Sequence, residues 1–314
     1  MSAFHQFAAV VFALVGSVFG IPTPAFWIYV VAFSLVVIGL TRILKELPRE
    51  QGVDKIMPFG QLFFAIPMAV FGTEHFTLTA DIATLVPSWI PAHTFWVYVV
   101  GLGFICAGIS IAALVQARLA AALVGMTLFI FVCTMDIPGV VADPRNRFAW
   151  ALALRELAFS SGAFAFAMSC WSTRSGQQSP ARRITGWAAF PRCFIGIASL
   201  FYGVEHFLHP ANVPGIPLQK LTPVWIPGRI FLSYFVGVIL ILAGICLLTN
   251  KKPRLAATSL GLTILLTMLW VYLPILLAAP KDLIALNYFF DTLLFCGTIL
   301  LLANAMEKER SVQG

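Results

Sequence analysis

The sequence is poor in charged residues, and this shortage decides the class of protein. Only 11% of its 314 residues are Asp, Glu, Lys or Arg, whereas 60% are hydrophobic and the mean hydropathy is +0.92. A soluble domain carries about 25% charged residues, so this chain cannot cover a surface that faces water. Several apolar runs reach the roughly 20 residues needed to cross the hydrocarbon core of a bilayer. The composition therefore predicts an all-α, polytopic membrane protein embedded in a lipid bilayer.

The sequence also lacks several motifs that would indicate a known chemistry. Its six cysteines lie within or at the ends of apolar runs and form no Cys-x-x-Cys pair, which argues against a thiol–disulfide enzyme. It has no nucleotide-binding loop. It also has no spaced set of His ligands, which argues against a metal site. The net charge of +7 reflects basic loops rather than nucleic-acid binding. Since the N-terminus lacks the features of a cleaved signal peptide, we predict a retained first helix.

What the sequence does contain is a pair of motifs that occurs twice. Gly-x-Glu-His-Phe at 72–76 returns at 203–207, and Pro-x-Trp-Ile-Pro at 87–91 returns at 223–227. The linker between the two motifs runs over 77–86 in the first copy and over 208–222 in the second, so it is longer in the second copy. Because internal repetition determines architecture, we define a first unit over 57–171 and a second unit over 187–306.

The apolar runs and the helix breakers predict about ten transmembrane helices. They are expected at 4–20, 25–44, 57–77, 92–115, 118–138, 147–171, 187–208, 228–249, 254–278 and 282–306. The first two form an N-terminal hairpin over 1–45 that resembles a truncated third copy. The other eight form two four-helix bundles, and because four is an even number, these are parallel repeats with one orientation in the membrane.

The last helices of the two units are matched through a glycine. Gly162 is matched to Gly297, which places Glu156 opposite Asp291 and Arg155 opposite Phe290. The second unit is therefore expected to lack the cation that the first unit has.

Loop charges predict the orientation in the membrane. Most Lys and Arg residues between helices fall on the side that carries both termini, and basic loops stay in the cytoplasm. We therefore expect a protein of the plasma membrane, the inner membrane of a bacterium, with cytoplasmic N- and C-termini. The Pro-x-Trp-Ile-Pro segments, which we call the lips, then lie at the outer interface with Trp89 and Trp225 as anchors or gates.

Ionisable residues inside membrane helices usually face a bundle interior and mark function. The predicted depths of these residues converge in the outer leaflet, which indicates a polar pocket for a small, hydrophobic molecule. The candidate ligand-binding residues are Glu74, His75, Asp136, Arg155 and Glu156 in the first unit, and Glu205, His206, Tyr272 and Asp291 in the second unit.

Two other interpretations of the Glu-His pairs remain open at this point. Adjacent helical residues point about 100° apart, so each Glu could instead hydrogen-bond the amides of the lip and fix the linker to the helix. A metal or haem site is the other interpretation, although the pairs lack a spaced ligand set.

The repeated Gly-x-Glu-His-Phe, the lip, and the helix opening with Arg-Leu-Ala-Ala resemble the DoxX-like family of four-helix membrane proteins. The matching positions of the first unit are Gly72, His75, Phe76, Pro87 and Pro91. The first unit departs from the family pattern in having Gln61 where the second has Arg192. The resemblance implies a role like that of members linked to quinone-dependent sulfur oxidation or to membrane redox complexes.

Three functions remain as hypotheses. The first is a membrane protein that binds a small, hydrophobic molecule, with a quinone as candidate cofactor and a membrane or periplasmic redox partner. The second is a proton-coupled transporter that works between the repeats. The third is a membrane assembly partner without a catalytic site.

Overall fold

The computed structural model describes residues 23–47, 52–174, 189–215 and 220–306, which form helices and no strands. The long helices are α1 (Thr23–Glu46), α2 (Met57–Thr77), α3 (His93–Ala113), α4 (Ala117–Ala142), α5 (Arg147–Arg174), α6 (Ala189–Leu208), α7 (Arg229–Thr249), α8 (Pro253–Ala278) and α9 (Leu283–Ala305). Eight helices, all of these except α6, are long and apolar enough to cross a membrane. The prediction of an all-α membrane protein is confirmed over the described residues, and the predicted helix at 4–20 lies outside them.

Helix α4 is longer than predicted because it continues through a proline. Its predicted end is Pro138, but the helix runs on to Ala142. A π turn over Val132–Asp136, in which the Ile137 N–H bonds the Val132 carbonyl, precedes the proline. Such a wider turn accommodates a residue that has no N–H to donate. Helix α8 contains the same turn at Met268–Tyr272, just before Pro274.

Helices of the first unit contact helices of the second unit, so the two units do not form separate bundles. From α2 to α9 each helix contacts the next one along the chain, and α9 contacts α2, so these helices close a ring. Helices α5 and α9, the last of each unit, also contact each other across the middle of the ring. The first helix of each unit thus lies against the last helix of the other.

Close contacts within the ring depend on glycine. A Cβ atom at Gly297 of α9 would lie 2.5 Å from the backbone N of Phe64 and 2.6 Å from the backbone C of Phe63, both on α2. A Cβ atom at Gly162 of α5 would lie 3.0 Å from the Thr298 Cα of α9. Small residues allow helix backbones to approach each other in membranes, where dispersion contacts dominate association.

Helix α1 lies outside the ring. It contacts α2, and the Tyr29 hydroxyl donates a hydrogen bond to the Pro280 carbonyl at 2.8 Å, just before α9 begins. It therefore braces the junction between the first helix of one unit and the last helix of the other.

Candidate functional site

A large cavity lies inside the first unit. Its volume is about 1500 Å³, and its walls come from α2, α3, α4, α5 and α9, with the first lip at its rim. The side chains along most of its length are apolar. Glu74, His75, Arg155, Glu156 and Asp291 also line the cavity, and Arg155 pairs with Glu156 and Asp291; we call this cluster the polar end of the cavity.

The ring of His75 is held in a fixed orientation at the polar end. Its Nδ1 lies 2.7 Å from the Phe71 carbonyl oxygen, and its ring meets Phe104 edge-on with centroids 5.7 Å apart. Because a carbonyl can only accept, Nδ1 carries the proton, and in the neutral ring Nε2 is then an acceptor. Gly101 makes room for this arrangement, since a Cβ there would lie 2.6 Å from the His75 Cβ.

Glu74 points toward α9 of the second unit. The residue is only 6% exposed, and its carboxylate faces the Asn287 amide, whose nitrogen donates to both oxygens at 3.1 and 3.2 Å when the amide is oriented with nitrogen inward. In the second unit, Glu205 accepts a hydrogen bond from Arg147 at 2.8 Å. Both glutamates therefore contact side chains of the facing unit's last helix, α9 or α5, in place of the lip amides considered from the sequence.

An ion pair links the two units at the polar end. Arg155 Nη1 of α5 lies 2.5 Å from Asp291 Oδ2 of α9, and Arg155 Nη2 lies 3.8 Å from Glu156 Oε1. The carboxyl groups of Asp136 and Glu156 are near enough to affect each other electrostatically, and the buried Asp136 Oδ2 has no hydrogen-bond partner among the described residues. Asp136 thus adjoins the site beside Glu156.

The local structure fixes a different match between α5 and α9 from the one predicted. Asn146 accepts from the Phe148 N–H at the start of α5, and Asp282 accepts in the same way from the Ile284 N–H at the start of α9. When these two caps are aligned, Arg155 matches Asp291 instead of Phe290. The match predicted from the sequence depends on one glycine in each helix, Gly162 and Gly297. The two caps are a better reference because they mark the residues at which the helices begin.

A second pair of contacts supports this correction. The Ser160 hydroxyl donates to the Gly125 carbonyl at 2.8 Å, and the Cys296 thiol donates to the Gly261 carbonyl at 3.3 Å. The two donors, and likewise the two acceptors, stand at positions that the alignment of the caps makes equivalent. Asp291, assigned from the sequence to a second-unit pocket, therefore belongs to the first cavity.

In the second unit, Pro214 and Gly215 of the longer linker lie in the place that corresponds to the first cavity. Pro214 and Gly215 are buried, and Gly215 approaches Ile264 of α8 and Thr292 of α9. The Tyr272 hydroxyl donates to the Pro214 carbonyl at 2.6 Å. His206 Nε2 accepts a hydrogen bond from the Gly215 N–H at 2.8 Å.

Comparison of the chain with models of known protein families, with curated proteins and with solved structures gave no match.

The nine candidate residues thus divide into two groups. Five of them lie together in the first cavity or adjoin it, and Asp291 of the second unit joins them. Glu205, His206 and Tyr272 do not line this cavity; they hold Arg147 and the second linker instead. The first group therefore consists of Glu74, His75, Asp136, Arg155, Glu156 and Asp291.

The two lips differ in their relation to the cavity. Trp89 lies at the cavity rim and is 70% exposed, whereas Trp225 is 53% exposed and lines no part of the cavity. Exposed indoles at helix ends suit the interface between a membrane and water.

Several residues of the site were not identified from the sequence. Asn287 and Tyr288 line the cavity from α9, and Gly103 lines it from α3. Asn287 lies one helical turn before Asp291, so the two polar residues share one face of an apolar helix. That pattern could have identified Asn287 from the sequence. Arg147 is not among the candidate residues predicted from the sequence, and it begins α5 and pairs with Glu205.

The described residues contain no group of three His, Cys, Asp or Glu side chains arranged to hold a metal ion. Arg192, which the first unit replaces by Gln61, donates to the Leu247 carbonyl at the end of α7. It therefore has a structural contact in the second unit, away from the cavity.

Proposed function

We propose that this chain is an integral membrane protein that binds one small, hydrophobic molecule with a polar head in the cavity of the first unit. The observation that carries the proposal is the cavity itself, about 1500 Å³ in volume, with mostly apolar walls and a cluster of ionisable residues, the polar end. Ligand sites are typically concave and mostly apolar, with a few polar groups that fix the orientation of the ligand. The size suits a molecule with a long apolar body.

The position of the cavity suits a ligand that arrives through the bilayer. Val99 of α3 and Leu119 and Leu123 of α4 line the cavity and are also exposed on the outer surface. The cavity therefore continues to the lipid-facing surface between α3 and α4. A Cβ atom at Gly103, on the same wall, would meet no atom within 4 Å, so this glycine widens the opening.

The polar end suits a head group that forms hydrogen bonds. Arg155 faces the carboxyl groups of Asp291 and Glu156, and Glu74 and His75 complete the end of the cavity. Buried polar groups need partners, and a head with hydrogen-bonding oxygen or nitrogen atoms supplies them. A quinone-type ring meets this requirement, so a quinone-linked role with a membrane or periplasmic redox partner is part of the proposal.

The proposal includes the architecture inferred from the sequence. We infer two parallel four-helix units derived from one another, preceded by a hairpin, in ten helices with both termini in the cytoplasm. Support comes from the π turns, which recur at equivalent positions of α4 and α8, and from stacked or tilted aromatic pairs at Phe76–Tyr98 and Phe207–Tyr234. The motifs resemble those of the DoxX-like family, and a bacterial inner membrane is the location that resemblance favours.

The test of the proposed function is to find out what the protein carries. We would purify it in mild detergent and analyse its absorption spectrum and an organic extract by mass spectrometry. The matched variants are Gly103→Ile, which narrows the opening of the cavity, and Gly139→Ile, where a Cβ also meets no atom but which lines no part of the cavity. We expect a hydrophobic molecule with the wild type and with Gly139→Ile, and less of it with Gly103→Ile. An empty extract contradicts the proposal, and equal amounts from the two variants contradict the placing of the ligand in this cavity.

A further inference from the structure

The second unit contains a polar group in the place that corresponds to the cavity. The peptide group between Pro214 and Gly215 is held at both ends: its carbonyl accepts from the Tyr272 hydroxyl at 2.6 Å, and its N–H donates to His206 Nε2 at 2.8 Å. The backbone of Gly215 has φ +106°, a conformation that strongly favours glycine. The buried linker thus presents one hydrogen-bond donor to the histidine.

The two histidines are oriented alike by their own helices. His206 Nδ1 lies 2.5 Å from the Tyr202 carbonyl, four residues earlier, and His75 Nδ1 lies 2.7 Å from the Phe71 carbonyl, also four residues earlier. In both neutral rings the proton is therefore on Nδ1, and Nε2 can only accept. A carbonyl in place of the Gly215 N–H would bring two acceptors together.

The two units differ in the hydrogen-bond partner of the histidine Nε2 atom. In the second unit it is the Gly215 N–H. In the first unit His75 lines the cavity, and no described residue donates a hydrogen bond to its Nε2. The shorter first linker ends at a lip that forms the rim of the cavity, and no residue of this linker donates to His75 Nε2.

We propose that His75 Nε2 selects a ligand whose polar head carries an O–H or N–H donor, attached to an apolar body. This inference rests on the proposed function and names the chemistry of the head group. A phenol, a quinol or a lipid amide has such a donor. A quinone offers His75 Nε2 only carbonyl oxygens, which accept hydrogen bonds. Of the two forms of a quinone-type redox carrier, the reduced form, a quinol, is therefore the one that can donate to this nitrogen.

The other groups at this end are compatible with a head that donates. Glu74, Glu156 and Asp291 offer carboxyl oxygens, while the Arg155 Nη atoms pair with Asp291 and Glu156 and its Nε has no hydrogen-bond partner among the described residues. Asp136 stands where the second unit has Tyr272. The first unit therefore has a carboxyl group in place of the tyrosine hydroxyl.

The test uses a matched pair of probes, 4-octylphenol and 4-octylanisole, which differ in the O–H group. Binding to the protein in nanodiscs would be measured by calorimetry, with partition into empty nanodiscs subtracted. We expect the wild type to bind the phenol about five- to tenfold more tightly than the methyl ether, as one net hydrogen bond provides. In His75→Phe this preference should disappear, and in the control His93→Phe, whose side chain lies outside the cavity lining, it should remain.

The possible failures are distinguishable. If neither probe binds, the proposed function and this inference are both wrong. If both probes bind equally to the wild type, or if the preference survives in His75→Phe, only the inference is wrong. The comparison of probes on the wild type needs no variant. Gly103→Ile, which narrows the opening of the cavity without altering His75, should weaken binding of both probes if they occupy the cavity.

Discussion

At the scale of single residues, the most consequential contact is the ion pair between Arg155 and Asp291. The two groups lie 2.5 Å apart, and their side chains are 16% and 15% exposed. Removing one partner of a buried pair leaves an uncompensated charge, which is more damaging than replacing both partners by apolar residues. The pair therefore constrains both units even though it contributes little net stability.

We expect Arg155→Ala to lower the free energy of unfolding by about 3 kcal/mol, because Asp291 would be left without its cation. Unfolding in detergent, followed by circular dichroism, measures this change. The double variant Arg155→Met/Asp291→Leu should recover most of the loss, and Arg145→Ala, at an exposed position, should change stability by less than about 0.5 kcal/mol. An Arg155→Ala protein as stable as the wild type would show that the pair is dispensable.

At the scale of helices, the sequence predicted most of what the structure contains. Apolar runs bounded by Pro, Gly and charged residues define helix ends well, because a membrane helix must satisfy its own backbone. The exception, α4, depended on a π turn that no hydrophobic pattern reveals. The polar end of the cavity was identified only in part, since Asn287 and Asp291 reach it through contacts between units that spacing along one helix does not indicate.

We expect Gly297→Leu to disrupt the contact between α2 and α9. A side chain there meets backbone atoms of Phe63 and Phe64 at 2.6 and 2.5 Å, and a backbone cannot move aside as a flexible side chain can. Overpacking of this kind typically costs about 1–3 kcal/mol, measured as a lower midpoint of thermal unfolding in detergent. Gly139→Leu is the matched control, and equal midpoints for the two variants would contradict the proposed close approach.

At the scale of the whole molecule, the ring makes the two units dependent on each other. Contacts of α2 with α9 and of α5 with α6 join each unit's first helix to the other's last. The first cavity itself requires α9, which supplies Asn287, Tyr288 and Asp291. A single four-helix unit would lack one wall.

We therefore expect a chain divided between residues 180 and 181 to work only as a pair of fragments. When both fragments are expressed together, purification through an affinity tag on the first fragment should recover the second in equal amount. The reason is that helices of the two fragments contact each other and close the ring. Each fragment expressed alone should aggregate in mild detergent on size-exclusion chromatography. Monodisperse, helical fragments that do not associate would contradict the interlocked arrangement.

The hydrogen bond between Gly215 and His206 has a consequence for the number of ligand molecules that the chain can bind. The sequence shows the Glu-His motif twice, so a titration interpreted from the sequence alone would be fitted with two ligand molecules per chain. In the structure the peptide group of Pro214 and Gly215 already occupies the second histidine. For the proposed site, saturation at one ligand molecule per chain is the expected stoichiometry, because this peptide group takes the place of a ligand at His206.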